Sequence, residues 1–134
     1  MKKPVWVVFD VTGVLVKGGK LNKNVWGLAK DLKKSGYKLA VFTNAITTNY
    51  SIIQKESDSE NPKLFEIIIK SSLNGFLKPE IDSYKYVENT LKASGDEIFF
   101  IDDFFKNTYS AKNLFDWQVY TFGNVEKLRK LLLT

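Results

Sequence analysis

The stretch Val5-Trp6-Val7-Val8-Phe9-Asp10-Val11-Thr12-Gly13-Val14-Leu15 decides how the rest of the chain is read. From Val5 to Phe9 every residue is β-branched or aromatic, with no polar alternation, as in a strand buried on both faces. The strand ends in a carboxylate, Asp10, where the chain leaves the core.

Four further short runs are rich in apolar β-branched and aromatic residues: Leu39 to Phe42, Ile67 to Ile69, Ile98 to Ile101 and Val119 to Phe122. Helical patterns lie between them. Val25, Leu28, Ala29 and Leu32 follow i, i+3, i+4, i+7 spacing, with Gly36 as a stop signal. Ile46, Tyr50 and Ile53 suggest a second helix, ended by the polar stretch 56–61. Pro79 opens a third, with Ile81, Tyr84, Val87 and Leu91 inward and Gly95 closing it. Ala111 and Leu114 belong to a fourth, and Val125, Leu128, Leu131 and Leu132 to a fifth. Strands alternating with helices predict a three-layer, doubly wound α/β domain of Rossmann-like type, with a five-stranded parallel sheet and helices on both faces. Its crevice lies at the C-terminal ends of the strands. Gly18-Gly19, between Leu15-Val16 and Lys20-Leu21, predicts a short hairpin flap after strand one.

The composition narrows the chemistry. At 134 residues the chain fits a single domain spanning 1–134. No apolar run approaches the roughly 20 residues that cross a bilayer, so no membrane association is expected. Met1-Lys2-Lys3 followed by Val5 to Phe9 imitates a secretory signal only faintly, because Asp10 interrupts the apolar stretch. A cytoplasmic location is the expectation. With no Cys and no His, disulfides, thiol nucleophiles, Cys/His zinc sites and imidazole bases are excluded. Carboxylates, Lys, hydroxyls, backbone dipoles and an oxygen-held hard cation remain. The net charge is +5, but Arg129 is the only arginine, and lysines spread over helix faces suit a solvated surface better than nucleic-acid readout. No nucleic-acid partner is expected.

The polar residues at the C-terminal strand ends form one chemical set. Strand one ends in Asp10, strand two in Thr43-Asn44 and strand four in Asp102-Asp103, while Lys78-Pro79 precedes the third helix on the same side. Three carboxylates near one point repel one another unless a cation sits among them, and an all-oxygen site favours Mg²⁺. A Lys and a hydroxyl facing that cation suit phosphoryl oxygens. Each residue also has a plain reading: Asp10 as a turn residue, Asp102-Asp103 as a cap for a helix near Phe104, Lys78 as one solvated lysine among many, Thr43 as a turn residue.

In sequence order, Val5 to Leu15, Phe42-Thr43-Asn44, Lys78-Pro79, and Phe99 to Asp103 with Asn107 and Ala111 resemble the four motifs of the haloacid dehalogenase superfamily. The resemblance covers essentially the whole chain. It implies a strand order of 5-4-1-2-3 and a Mg²⁺-dependent phosphatase working through an aspartyl-phosphate on Asp10. Asp10 is then nucleophile and metal ligand, with the carbonyl of Thr12 and the carboxylate of Asp103 as further ligands and Asp102 binding directly or through water. Thr43 and the Asn44 backbone hold phosphate oxygens, Lys78 neutralises nucleophile and transferring group, and Asn107 supports the metal loop.

Two departures stand out. Most phosphatases of the superfamily carry a second Asp two residues after the nucleophile as acid and base, and this chain has Thr12. General acid–base help is worth roughly 10²–10⁴-fold, so slower turnover, good leaving groups or a longer-lived aspartyl-phosphate are expected. The intervals also leave no room for a cap domain. An open site implies a bulky phosphorylated substrate, a cap lent by a partner chain or homodimer, or low selectivity. Phe104 and Phe105, with Phe76 and Leu77, are either core residues, the commoner use of aromatics, or an apolar rim.

Other assignments fit less well. Gly13 to Lys20 misses a Walker A loop, because Lys20 falls one place late and Leu21 replaces Ser/Thr. In a response-regulator receiver the acidic pair comes first, the reverse of the order here. A carbon-attacking dehalogenase has no use for the pair at 102–103. The remaining alternative is a catalytically weak or inactive phosphate-binding or protein-interaction module on the same scaffold.

Overall fold

The computed structural model describes residues 2–44, 48–60 and 63–133. In chain order the elements are β1 (Trp6–Phe9), the hairpin β2 (Val16–Lys17) and β3 (Lys20–Leu21), α1 (Lys23–Lys34), β4 (Lys38–Thr43), α2 (Thr48–Ser59) and β5 (Ile67–Lys70). They continue as α3 (Ile81–Leu91), β6 (Ile98–Asp102), α4 (Phe105–Phe115), β7 (Gln118–Thr121) and α5 (Val125–Leu132).

Side-chain alternation along β1 builds two cores at once. Val7 and Phe9 join one buried cluster with residues of α1, α2 and α5, while Trp6 and Val8 join the other with residues of α3 and α4. β1 lies at the centre of a parallel sheet ordered β5-β4-β1-β6-β7. Counting the parallel strands alone, this is 5-4-1-2-3 read from the opposite edge. β2 and β3 pair antiparallel through Gly18 and Gly19, both at positive φ, as a two-residue turn of this kind demands.

The second core is aromatic. Phe42, Tyr84, Phe100 and Trp117 are at least 98 % buried and meet largely edge-to-face at centroid distances of 5.4 to 6.5 Å. Phe42 and Phe100 come from β4 and β6, so this layer braces the two strands that flank β1.

Several local expectations change. α2 runs through the polar residues to Ser59, because Tyr50, Gln54 and Asp58 form successive i,i+4 hydrogen bonds along it; Ile46 and Asn61 lie outside the described residues. α3 begins two residues after Pro79, and Ile81 faces solvent in its first turn. It ends at Lys92, in left-handed conformation, and Gly95 belongs to the next turn. Leu114 and Leu131 are exposed, because α4 and α5 bury narrower stripes centred on Ala111 and Leu128. Among the described residues, no helix is long and apolar enough to cross a membrane.

Phe100→Ala removes the ring shared by Phe42, Tyr84 and Trp117. A loss of about 3–5 kcal/mol is expected, read as a lower urea midpoint at unchanged m-value.

Candidate active site

β1, β4 and β6 run parallel, so their last residues emerge at one edge of the sheet. Asp10 follows β1, and its N–H is fixed by Ile101 O at 2.9 Å. Asp102 closes β6 and is fully buried. Asp103 is the next residue and is exposed. Oxygen atoms from these three carboxylates lie within 4.8 Å of one another.

Lys78 supplies the opposing charge. It is 94 % buried, and its Nζ donates to Asp10 Oδ1 (3.0 Å), Asp102 Oδ2 (2.8 Å) and Phe42 O (2.9 Å). All three donors of the ammonium are thereby used. It also lies 4.8 and 5.4 Å from the ring centroids of Phe42 and Phe100, so the aromatic core forms the floor beneath it.

The loop carrying Lys78 is held from β4. Asn44 Oδ1 accepts from Lys78 N (2.8 Å) and Ser71 Oγ (2.9 Å), and Asn44 Nδ2 donates to Lys78 O (3.2 Å). Asn44 was singled out in the sequence for its backbone alone; its side chain proves to be the clamp on Lys78. Asp102 is saturated similarly. Its Oδ1 accepts from Phe104 N (2.9 Å), and its Oδ2 accepts from Asn107 Nδ2 (3.1 Å) besides Lys78. The Tyr84 hydroxyl donates to Asn107 O at 2.8 Å, tying α3 to the first turn of α4.

Asp103 is placed by an absence. A Cβ on Gly13, at φ +88°, would lie 2.1 Å from Asp103 Oδ2. The carboxylate therefore occupies space that only glycine leaves open. Thr12, exposed on the turn after Asp10, accepts from Asn49 Nδ2 of α2 at 3.1 Å. Sequence reasoning did not find Asn49, whose partner lies 37 residues away with no motif around it.

Together Asp10, Thr12, Thr43, Asn44, Lys78, Asp102, Asp103, Phe104 and Asn107 line one cavity of about 170 Å³. Every residue marked for the site in the sequence meets there. Phe104 stands on its wall and Phe105 is 62 % exposed, so neither serves the core; Phe76 is half-buried against Tyr86.

Burial raises the Asp10 carboxyl to about 7; Lys78 opposes the shift and the Asp102 charge adds to it. Between pH 3.8, its ordinary value, and about 7, the folded chain retains a proton that the unfolded chain releases. Stability of the metal-free protein therefore falls as pH rises through this window. Asp10→Asn is expected to melt above wild type in EDTA at pH 8, with the gap closing toward pH 4 in thermal scans.

A model of the haloacid dehalogenase-like hydrolases matches residues 19–114. Bifunctional epoxide hydrolase 2 of Rattus norvegicus is 30% identical over 113 residues, covering 83% of this chain and 20% of that protein. The chain thus spans about a fifth of the length of that relative. In fold it is similar to a HAD-superfamily hydrolase from Ehrlichia chaffeensis, with a TM-score of 0.77, 17% identity and coverage of 99% and 98% of the two chains. A HAD family enzyme from Bacteroides thetaiotaomicron, crystallised with magnesium and inorganic phosphate, gives a TM-score of 0.70 at 17% identity over 90% and 94%. Since the family model matches well over half of the residues, the chain belongs to the haloacid dehalogenase-like hydrolases.

Proposed function

We propose that this hydrolase is a Mg²⁺-dependent phosphomonoesterase in which Asp10 attacks phosphorus and carries the phosphoryl group. The observation that carries the reading is the Lys78 ammonium shared between Asp10 and Asp102, with Asp103 beside them on the same small cavity. One fixed cation among three carboxylates leaves two negative charges uncompensated, which fits a site completed by a divalent ion.

The donor set fits that ion. Asp10, Asp103 and the carbonyl of Thr12 are the ligands we assign, with Asp102 acting through its hold on Lys78 and on the loop of Asn107. Asn107 Oδ1 is buried without a hydrogen-bond partner among the described residues, an acceptor of the kind that a hydrated cation satisfies. When bound, Mg²⁺ neutralises charge on the phosphoryl oxygens and orients them.

The chain's own groups then have distinct tasks. Asp10 presents an oxygen to phosphorus while Lys78 holds its other contacts fixed, so the nucleophile is oriented before substrate arrives. Thr43 and the backbone at Asn44 face the phosphoryl oxygens from the end of β4. Lys78, already desolvated, compensates charge that grows on the transferring group. Thr12 supplies a neutral hydroxyl where a carboxylic acid serves in most relatives. No cap covers the site in this reading, and a phosphorylated molecule enters from the open edge.

Thr12 also favours a second reading, a module that binds phosphate without turning it over. Hydrolysis of p-nitrophenyl phosphate separates the two. Activity is expected with Mg²⁺, absent in EDTA, and reduced on the order of 10³-fold or more in Asp10→Asn; equal rates in wild type and variant would leave the binding module. Gly13→Ala, which displaces Asp103, is expected to weaken Mg²⁺ binding by about tenfold or more in calorimetric titration.

A further inference from the structure

We infer that the leaving group of the substrate is an aryl oxygen: the enzyme takes phenolic phosphate esters in preference to alkyl ones. The inference rests on Asp10 being the nucleophile, and two independent features of the site lead to it.

The first is the group on the leaving side. Thr12 is the residue of the turn after Asp10 that lines the cavity, and its Oγ1 accepts from Asn49 Nδ2 at 3.1 Å. A hydroxyl has one hydrogen and two lone pairs. With one lone pair engaged by Asn49, its hydrogen remains available to an acceptor in the cavity that Thr12 lines. Such a donor stabilises negative charge on an oxygen without transferring a proton near neutral pH. The described cavity offers no free carboxylic acid for that transfer. Asp102 is wrapped by Phe104 N, Lys78 and Asn107, and Asp103 lies against Gly13 on the metal side. An alkoxide leaves poorly without a proton; a phenolate does not need one. The missing acid, worth roughly 10²–10⁴-fold, weighs almost entirely on alkyl esters.

The second is the mouth of the cavity. A cavity of about 170 Å³ takes a phosphoryl group and its cation and is open to solvent beyond them. The group that carries the phosphate then meets the open mouth, where Phe104 offers an exposed aromatic face. Phe104 lines the cavity and is 53 % exposed, and Phe105 stacks with Tyr109 at 5.4 Å. Leu77 and Ile81, 45 % and 49 % exposed, flank Lys78 along the chain. Exposed apolar residues scattered singly need no explanation, but an exposed aromatic lining a cavity that holds three carboxylates and a buried lysine does. In an aryl phosphate the ring is one bond from the bridging oxygen, so a phosphoryl group seated in the cavity brings the ring to its mouth. A flat apolar leaving group of low basicity answers both features, whereas a sugar or glycerol phosphate answers neither.

The reaction balances without a further reagent. A carboxylate oxygen of Asp10 bonds to phosphorus as the bond to the aryl oxygen breaks, and that oxygen departs with the electron pair as phenolate. Water then attacks phosphorus and the bond to Asp10 breaks, giving back the carboxylate, hydrogen phosphate and a proton released to solvent.

The test compares initial rates with Mg²⁺ for a series of substituted phenyl phosphates, a phosphotyrosyl peptide, glycerol phosphate and acetyl phosphate. For wild type, kcat/KM is expected to be at least ~10²-fold higher on phenyl phosphate than on glycerol phosphate, and to rise steeply as the phenol becomes more acidic. Thr12→Asp is expected to raise the glycerol phosphate rate and flatten that dependence. Phe104→Ala is expected to lower the ratio of phenyl to acetyl phosphate activity by about fivefold, reporting the ring contact apart from leaving-group acidity. The faster of phenyl phosphate and the peptide tells whether the ester is met free or on a protein. Glycerol phosphate turned over as fast as phenyl phosphate, or a ratio unmoved by Phe104→Ala, overturns the inference while leaving the phosphatase standing. If no ester is hydrolysed and acetyl phosphate does not label Asp10, the phosphatase reading falls with it.

Discussion

The rest of the site depends on one buried ammonium. The Lys78 ammonium contacts two carboxylates and one carbonyl, drawing together the ends of β1, β4 and β6. A lone charge in that position would be severely destabilising, whereas a pair with good geometry and additional hydrogen bonds is tolerated. The neighbourhood is built accordingly. Asn44 fixes the Lys78 backbone, Asn107 and the Phe104 N–H complete Asp102, and Tyr84 ties α3 to α4 beneath them. Residues from four segments of the chain thus converge on holding one side chain still.

The arrangement joins the core to the chemistry. Phe42 and Phe100 belong to the aromatic layer that braces β4 and β6, and their rings also lie under the Lys78 ammonium. The layer that stabilises the sheet therefore sets the height of the charge above it. Asp10 carries the opposite burden. Burial raises its carboxyl to about 7 despite Lys78, so the folded state accepts an unfavourable group at the point where a nucleophile is wanted. A stabler chain with an amide there would lose the carboxylate oxygen on which the proposed attack depends.

Thr12 and the exposed rim distinguish this member from the commoner pattern of the superfamily. The turn after Asp10 keeps Gly13, whose missing Cβ makes room for Asp103, while Thr12 stands where most relatives carry an acid. No residue of the hairpin β2–β3 lines the cavity, and Phe104 and Phe105 stay in contact with solvent. On the proposed reading, selectivity resides in the exposed face of Phe104 and in the acidity of the departing oxygen rather than in enclosure.

The order of apolar runs determined the sheet, because buried parallel strands need uninterrupted apolar residues and right-handed crossovers permit few topologies. The Gly18-Gly19 turn was equally legible, since few other residues accept its backbone angles. Asp10, Thr43 and Asp102 could be marked beforehand because each sits where a strand ends, and element ends are written in local sequence; Lys78, in a loop, was marked by its resemblance to a family motif. What no local pattern contains is the contact between such ends. The grip of Asn44 on Lys78, the contact of Asn49 with Thr12, the fit of Asp103 against Gly13 and the outward turn of Ile81, Phe104 and Phe105 all join segments remote in sequence or depend on how helices seat on the sheet. Periodicity records which residues are apolar, not which of them find a neighbour to cover them. Only the packed structure decides that.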